Sequence, residues 1–138
     1  MTGLGTVPAS TFNREVSAIL AYHSLDDSGS VISTHPDLFR RHIECLLELQ
    51  VPVVPLSDVQ RTPGSVALTF DDGYDNFLEF AYPVLAEYGL PATVFVAGGY
   101  CGRRAGWLPR PSPWPPSRIM GLSELRALAG SRIEIGSH

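Results

Sequence analysis

The residues best suited to chemistry are two adjacent carboxylates, Asp71 and Asp72, in the run Thr69-Phe70-Asp71-Asp72-Gly73-Tyr74, together with His138. Neighbouring side chains leaving an extended segment point in different directions. One carboxylate of such a pair can hold a cation while the other stays free as a base. Two ionised carboxylates side by side repel each other unless a cation is present. Gly73 lets the backbone turn sharply and approach a ligand closely. The competing reading is ordinary turn chemistry, with Asp72 or Asp75 capping the helix that follows.

The elements around these residues favour the chemical reading. Residues 65–70, Ser-Val-Ala-Leu-Thr-Phe, form the clearest strand, and it stops at the two aspartates. Residues 132–135, Arg-Ile-Glu-Ile, form another strand that leads to Gly136, Ser137 and His138. Further strands are expected at residues 17–22, 51–54 and 93–97. Between them, residues 36–49 read as a helix. Its apolar stripe is Leu38, His42, Cys45 and Leu49, widened by Phe39, Ile43, Leu46 and Leu47. A second helix follows the aspartates, with Phe77, Phe80, Ala81, Val84, Leu85 and Tyr88 on one face. Pro83 should kink it, and Gly89 and Pro91 should end it. A short third helix should run from a Ser123 cap to Leu128.

Strands alternating with helices imply a mostly parallel sheet, as a barrel or as an open sheet. Ligand-binding residues in such folds gather beyond the C-terminal ends of the strands. Asp71, Asp72 and His138 all follow strand ends, so a parallel sheet brings them to one rim. His23 also follows a strand. It can line that rim, or act as a core or supporting histidine, which is the preferred reading. His35 and His42 read as helix-cap and helix-face residues. Residues 98–121 make a long irregular segment holding Pro109, Pro111, Pro113, Pro115, Pro116, Trp107 and Trp114. A loop this long inside a domain is usually functional or mobile. Its tryptophans can stack on sugar rings or simply pack the loop.

Composition narrows the function classes. With 138 residues and 44% hydrophobic residues, the chain can bury the core of one domain. A net charge of −4 gives no electrostatic case for nucleic acid or an anionic membrane. All ten basic residues are arginine, so a lysine nucleophile or Schiff base is excluded. Without a lysine or a Gly-rich phosphate loop, magnesium-dependent phosphoryl transfer is the weakest reading of the aspartates. Two distant cysteines do not make a disulfide framework. Cys45 reads as core and Cys101 as a bystander. No signal peptide or membrane span is expected, which places the chain in the cytoplasm by default, or in the cell envelope if the start lies further upstream.

With these residues in hand, the sequence resembles the polysaccharide deacetylase family, also called the NodB-homology domain or carbohydrate esterase family four. Val66-Ala67-Leu68-Thr69-Phe70-Asp71-Asp72-Gly73-Tyr74 resembles the family's first motif. Ile19-Leu20-Ala21-Tyr22-His23 is similar to an opening strand common in one branch. Tyr82-Pro83-Val84-Leu85 and residues 89–96 resemble the stretch after the first motif, and residues 134–138 the start of a His-x-x-x-His motif. The resemblance implies an α/β fold of the (β/α) barrel type with helices outside. It implies removal of N-acetyl groups from an N-acetylated polysaccharide by hydrolysis. Asp71 becomes the general base, Asp72 and His138 metal ligands, and a backbone N–H near Tyr74 an oxyanion donor. His23 and Trp107 are candidate rim or substrate contacts from the residues alone. The cofactor implied is a divalent metal, zinc first, with cobalt, nickel, manganese or iron as alternatives. The partner implied is the glycan; no nucleic acid, membrane or protein partner is expected.

The sequence also departs from the pattern. The second histidine of the His-x-x-x-His motif, the arginine that orients the base, the groove segment and the histidine acting as general acid are all missing. The expectation is therefore an N-terminal extension over residues 1–15 and an incomplete barrel over residues 16–138, weakly active at best. The alternative is a non-catalytic carbohydrate-binding fragment or decayed gene product.

Overall fold

The computed structural model describes residues 15–108 and 118–138. Its centre is a four-stranded parallel sheet in the order β1, β4, β5, β6: β1 is Ala18–Tyr22, β4 is Val66–Asp72, β5 is Ala92–Val96 and β6 is Ile133–Ser137. The strand carrying the aspartates is central, and its residues Val66 to Phe70 are all buried. That agrees with a continuous apolar run covered on both faces. The edge strands are less covered, with Ile19 of β1 and Ile135 of β6 exposed. The sheet is open among the described residues. A two-residue parallel ladder, β2 (Ser24–Leu25) with β3 (Ser33–Thr34), follows β1 and was not foreseen.

Helix α1 spans Pro36–Glu48, with Pro36 in its first turn and the His35 ring accepting the Asp37 N–H at 3.2 Å. The buried residues are Phe39, Ile43 and Leu46, whereas Leu38, Leu49 and Cys45 are exposed. The expected stripe is thus rotated by one residue, and Cys45 is a surface residue. The reason is aromatic packing. Phe39 meets Tyr22 edge-on at 5.1 Å, and Tyr22 stacks on Phe70 at 5.3 Å. Phe77 closes against Phe70 at 4.8 Å. Burying an aromatic ring outweighs burying a thiol or a terminal leucine, so Phe39 sets the helix rotation. This cluster lies directly beneath the aspartates, because Phe70 precedes Asp71.

Residues 51–54 form no strand. Val53 makes one isolated bridge to Val66. Pro52 and Pro55 have no N–H to give, which limits the ladder to Val54 N–H to Val66 O at 2.9 Å and Val66 N–H to Pro52 O at 2.8 Å. The helix after the aspartates begins as a π-helical segment, Phe77–Ala81, and continues as α2, Tyr82–Tyr88. Pro83 lies at the start of α2, where the wide π turn absorbs its missing N–H. The expected kink therefore takes the form of a change of helix type. Helix α3, Leu122–Ala127, is preceded by Gly121 as its cap, not by Ser123. Glu124 accepts the Gly121 N–H at 2.8 Å and is held by both Arg118 nitrogens at 2.8 Å.

No helix among the described residues is long and apolar enough to cross a membrane.

Candidate active site

The parallel register brings the singled-out residues to one rim. Tyr22 of β1 is level with Phe70 of β4, so His23, just past β1, comes beside Asp71 of β4. His23 Nε2 lies 3.7 Å from Asp71 Oδ2. Both side chains are partly exposed, at 38% and 26%. His23 is therefore a rim residue, not a core one. Asp71 is the only residue of β4 that is not buried.

Asp72 turns the other way. Its φ is +71°, an uncommon conformation for a residue with a side chain, and Gly73 follows at +81°. A Cβ at position 73 would lie 3.1 Å from a Val96 methyl carbon and 3.2 Å from its Cα. Only glycine lets the chain turn this tightly against β5. The Asp72 carbonyl accepts the Ala97 N–H at 3.0 Å, and the His138 N–H donates to Val96 O at 2.9 Å. Asp72 and His138 are thus both fastened to the end of β5. Their side chains meet across it, with Asp72 Oδ1 3.1 Å from His138 Nε2. The Asp72 side chain is 12% exposed and that of His138 49%.

The turn-chemistry reading of the aspartates does not hold. The helix starting at Phe77 has no side-chain cap. Asp75 instead faces Arg118 at 3.3 Å, and its N–H donates to Arg118 O at 2.8 Å. With Met120 N–H to Gly73 O at 2.9 Å, this makes an antiparallel bridge between Tyr74 and Ile119. In that pattern the N–H of Tyr74 itself points away from Ile119. The Tyr74 ring is buried, and its hydroxyl lies close to the Asp72 carboxylate without a well-formed hydrogen bond among the described residues. Burial first, and the Asp72 carboxylate second, push its pKa up to about 12.

The Asp72–His138 pair fits a shared metal ion. Oxygen and nitrogen ligands sit roughly 2.0–2.2 Å from zinc, so two on one ion lie about 3–3.5 Å apart. The same spacing also suits a direct hydrogen bond. Among the described residues no group of three or more His, Cys, Asp or Glu side chains is gathered to hold a metal. The pair thus provides two donors, and Asp71 is turned away toward His23.

Trp107 borders a cleft of about 340 Å³ that Asp72 and His138 also line. Tyr100 lines it too, a residue the sequence reading passed over. Its position four residues past the end of β5 was the available signal. Trp114 and the prolines at 109, 111, 113, 115 and 116 lie outside the described residues.

The fold and this rim define an α/β protein with carboxylates and imidazoles gathered at the C-terminal ends of parallel strands. A family model described as "Polysaccharide deacetylase" matches residues 58–138, and the chain belongs to that family. "Putative polysaccharide deacetylase YxkH" of Bacillus subtilis (strain 168) is 32% identical over an aligned length of 94, covering 62% of this chain and 33% of that protein. The solved structure of IcaB from Ammonifex degensii superposes with a TM-score of 0.74 at 23% identity, covering 88% of this chain and 52% of that one. A de-N-acetylase from Aggregatibacter actinomycetemcomitans gives 0.66 at 25% identity, covering 88% and 54%. The chain spans about one third of the curated relative it matches and about half of these solved chains.

Proposed function

We propose that this chain carries one part of the active site of a metal-dependent N-deacetylase acting on an N-acetylated glycan. The observation behind the reading is the divergence of the two aspartates: Asp72 lies 3.1 Å from His138, whereas Asp71 faces His23 at 3.7 Å. Asp72 and His138 would hold a divalent ion, zinc by the chemistry of one carboxylate and one imidazole. Such an ion polarises a carbonyl and makes water more acidic. Asp71, not engaged by that pair, takes the proton of the attacking water. The N–H of Tyr74, turned away from Ile119, is the donor assigned to the developing oxyanion. The amide carbon–nitrogen bond breaks, giving acetate and a free amino sugar.

Family membership, and the de-N-acetylase among the structural neighbours, support this substrate class. The test is acetate release from acetylated chito-oligosaccharides with added divalent metal, wild type against Asp71→Asn. Undiminished release by the variant would remove Asp71 from the role of base.

The two-donor set among the described residues favours a second reading, carbohydrate binding without catalysis, since catalytic zinc sites normally use three protein ligands. Glycan binding by this chain without acetate release, in metal-supplemented buffer, is the outcome that selects it.

A further inference from the structure

Past the end of β5 the chain makes one 3-10 turn, Gly98–Tyr100, and enters a loop that returns to the rim at Trp107. The cleft there is shared by Asp72, His138, Tyr100, Trp107 and the bare backbone of Gly98 and Gly99. Its volume, about 340 Å³, is at the lower end of the roughly 300–1,000 Å³ typical of ligand sites, enough for a small ring.

The two aromatic rings of this cleft are locked together. Their centroids lie 4.8 Å apart at 83°, an edge-to-face contact. A Cβ on Gly106 would lie 2.7 Å from Tyr100 Cε1, so the Tyr100 ring rests directly on the backbone of position 106. The loop is itself tied down. Arg103 N–H donates to Tyr100 O at 2.8 Å, and Ile119 N–H donates to Arg103 O at 2.8 Å. Ile119 is fully buried, which anchors this ladder in the core. Yet both rings stay open to solvent, Tyr100 at 38% and Trp107 at 43%. Such a fixed, exposed aromatic pair presents apolar surface at little entropic cost on binding. The polar groups in the same cleft are a carboxylate and an imidazole, which suit the amide and hydroxyl groups of a ligand.

We propose that Trp107, held in place by Tyr100, is a platform for the apolar C–H face of a pyranose ring whose acylamino group is directed to Asp72 and His138. Trp107 is a substrate contact and Tyr100 a positioning residue. This assignment rests on the N-deacetylase reading for the nature of the sugar, but binding alone tests it.

The probes are N-acetylglucosamine and its reduced open-chain alditol, which carries the same acetamide without a ring. Calorimetry on the chain should show the ring form binding roughly three- to tenfold more tightly, the range expected for one aromatic contact. Trp107→Ala should abolish that preference. Tyr100→Ala should weaken it and Tyr100→Phe restore it, since the edge-to-face contact needs the ring and not the hydroxyl. The chain has two tryptophans, so a Trp114→Phe background leaves Trp107 as the sole indole, and its fluorescence should shift with the ring sugar but not with the alditol. A preference that survives Trp107→Ala, or is missing from the wild type, overturns the platform. If the preference depends on Trp107 but no acetate is ever released, the platform stands and the deacetylase reading falls. Acetate release with ring preference untouched by Trp107→Ala gives the converse.

Discussion

His23, just past β1, stands level with Asp71 of β4, with Nε2 and Oδ2 3.7 Å apart and no loop between His23 and its strand. A rim histidine placed this way is within ion-pair range of the carboxylate next to it. Activity in His23→Ala should fall about tenfold, and in Asp71→Asn by at least about a hundredfold, the scale of a lost general base. On the proposed assignment, in which the two serve one proton-transfer site, the double variant should be little worse than Asp71→Asn alone. Acetate-release rates for the four proteins measure this coupling, and effects that simply multiply would show the contact to be idle.

Metal binding should separate the two aspartates. Asp72→Ala and His138→Ala should each weaken zinc binding by roughly a hundredfold or more, while Asp71→Asn should leave it within a few-fold. Calorimetric titration of zinc into metal-stripped protein provides the numbers. Loss of affinity in Asp71→Asn equal to that in Asp72→Ala would mean that both carboxylates are ligands.

Gly73→Ala should be costly for two reasons that act together. The backbone sits at φ +81°, and the new methyl would press on Val96 at 3.1–3.2 Å. A loss of roughly 1–3 kcal/mol is expected in urea unfolding. An unchanged midpoint would show that the turn relaxes freely.

Acid should undo the brace behind the rim. Arg118, first, and the Gly121 N–H, second, hold the Glu124 carboxyl down at about 2, against an ordinary value of 4.5. The folded pKa lies below the unfolded one, so between these values the unfolded chain binds more protons. The contribution is complete above pH 4.5 and is lost as pH falls toward 2. Because Arg118 is 39% exposed, solvent screening reduces the contribution to about 1 kcal/mol. Glu124→Gln should therefore lower the melting temperature at pH 7, with the difference from wild type closing near pH 2. A difference independent of pH would assign the effect to packing.

Removing the Tyr74 hydroxyl should change stability little. It is buried beside the Asp72 carboxylate without a well-formed hydrogen bond among the described residues, so Tyr74→Phe should stay within about 1 kcal/mol of wild type. A larger drop in stability would reveal a hydrogen bond made by that hydroxyl in solution.

Much of this arrangement was legible in the sequence because its signals were local. The strand ending at Asp71-Asp72 is an unbroken apolar run, and a parallel sheet brings His138 to the same rim. What the sequence hid depended on pairing and rotation. His23 could be placed on the rim only once β1 was known to lie beside β4 in register. The rotation of α1 was settled by Tyr22 and Phe70, remote in sequence from Phe39, and this left Cys45 outside. The strand expected at residues 51–54 failed because prolines limited its ladder. Tyr100 carried no motif beyond its position after a strand end, and its place in the cleft becomes clear through its contacts with Trp107 and Gly106.

The end of β5 has a consequence for how this site tolerates change. Val96 offers its carbonyl to His138 and Ala97 its N–H to Asp72, so both anchoring bonds belong to the main chain. Exchanging side chains there leaves those bonds intact, provided that the space beside Gly73 is kept. Adding or deleting a single residue is different, because it slides one anchor past the other and parts the two donors. At this point in the chain, spacing matters more than residue identity.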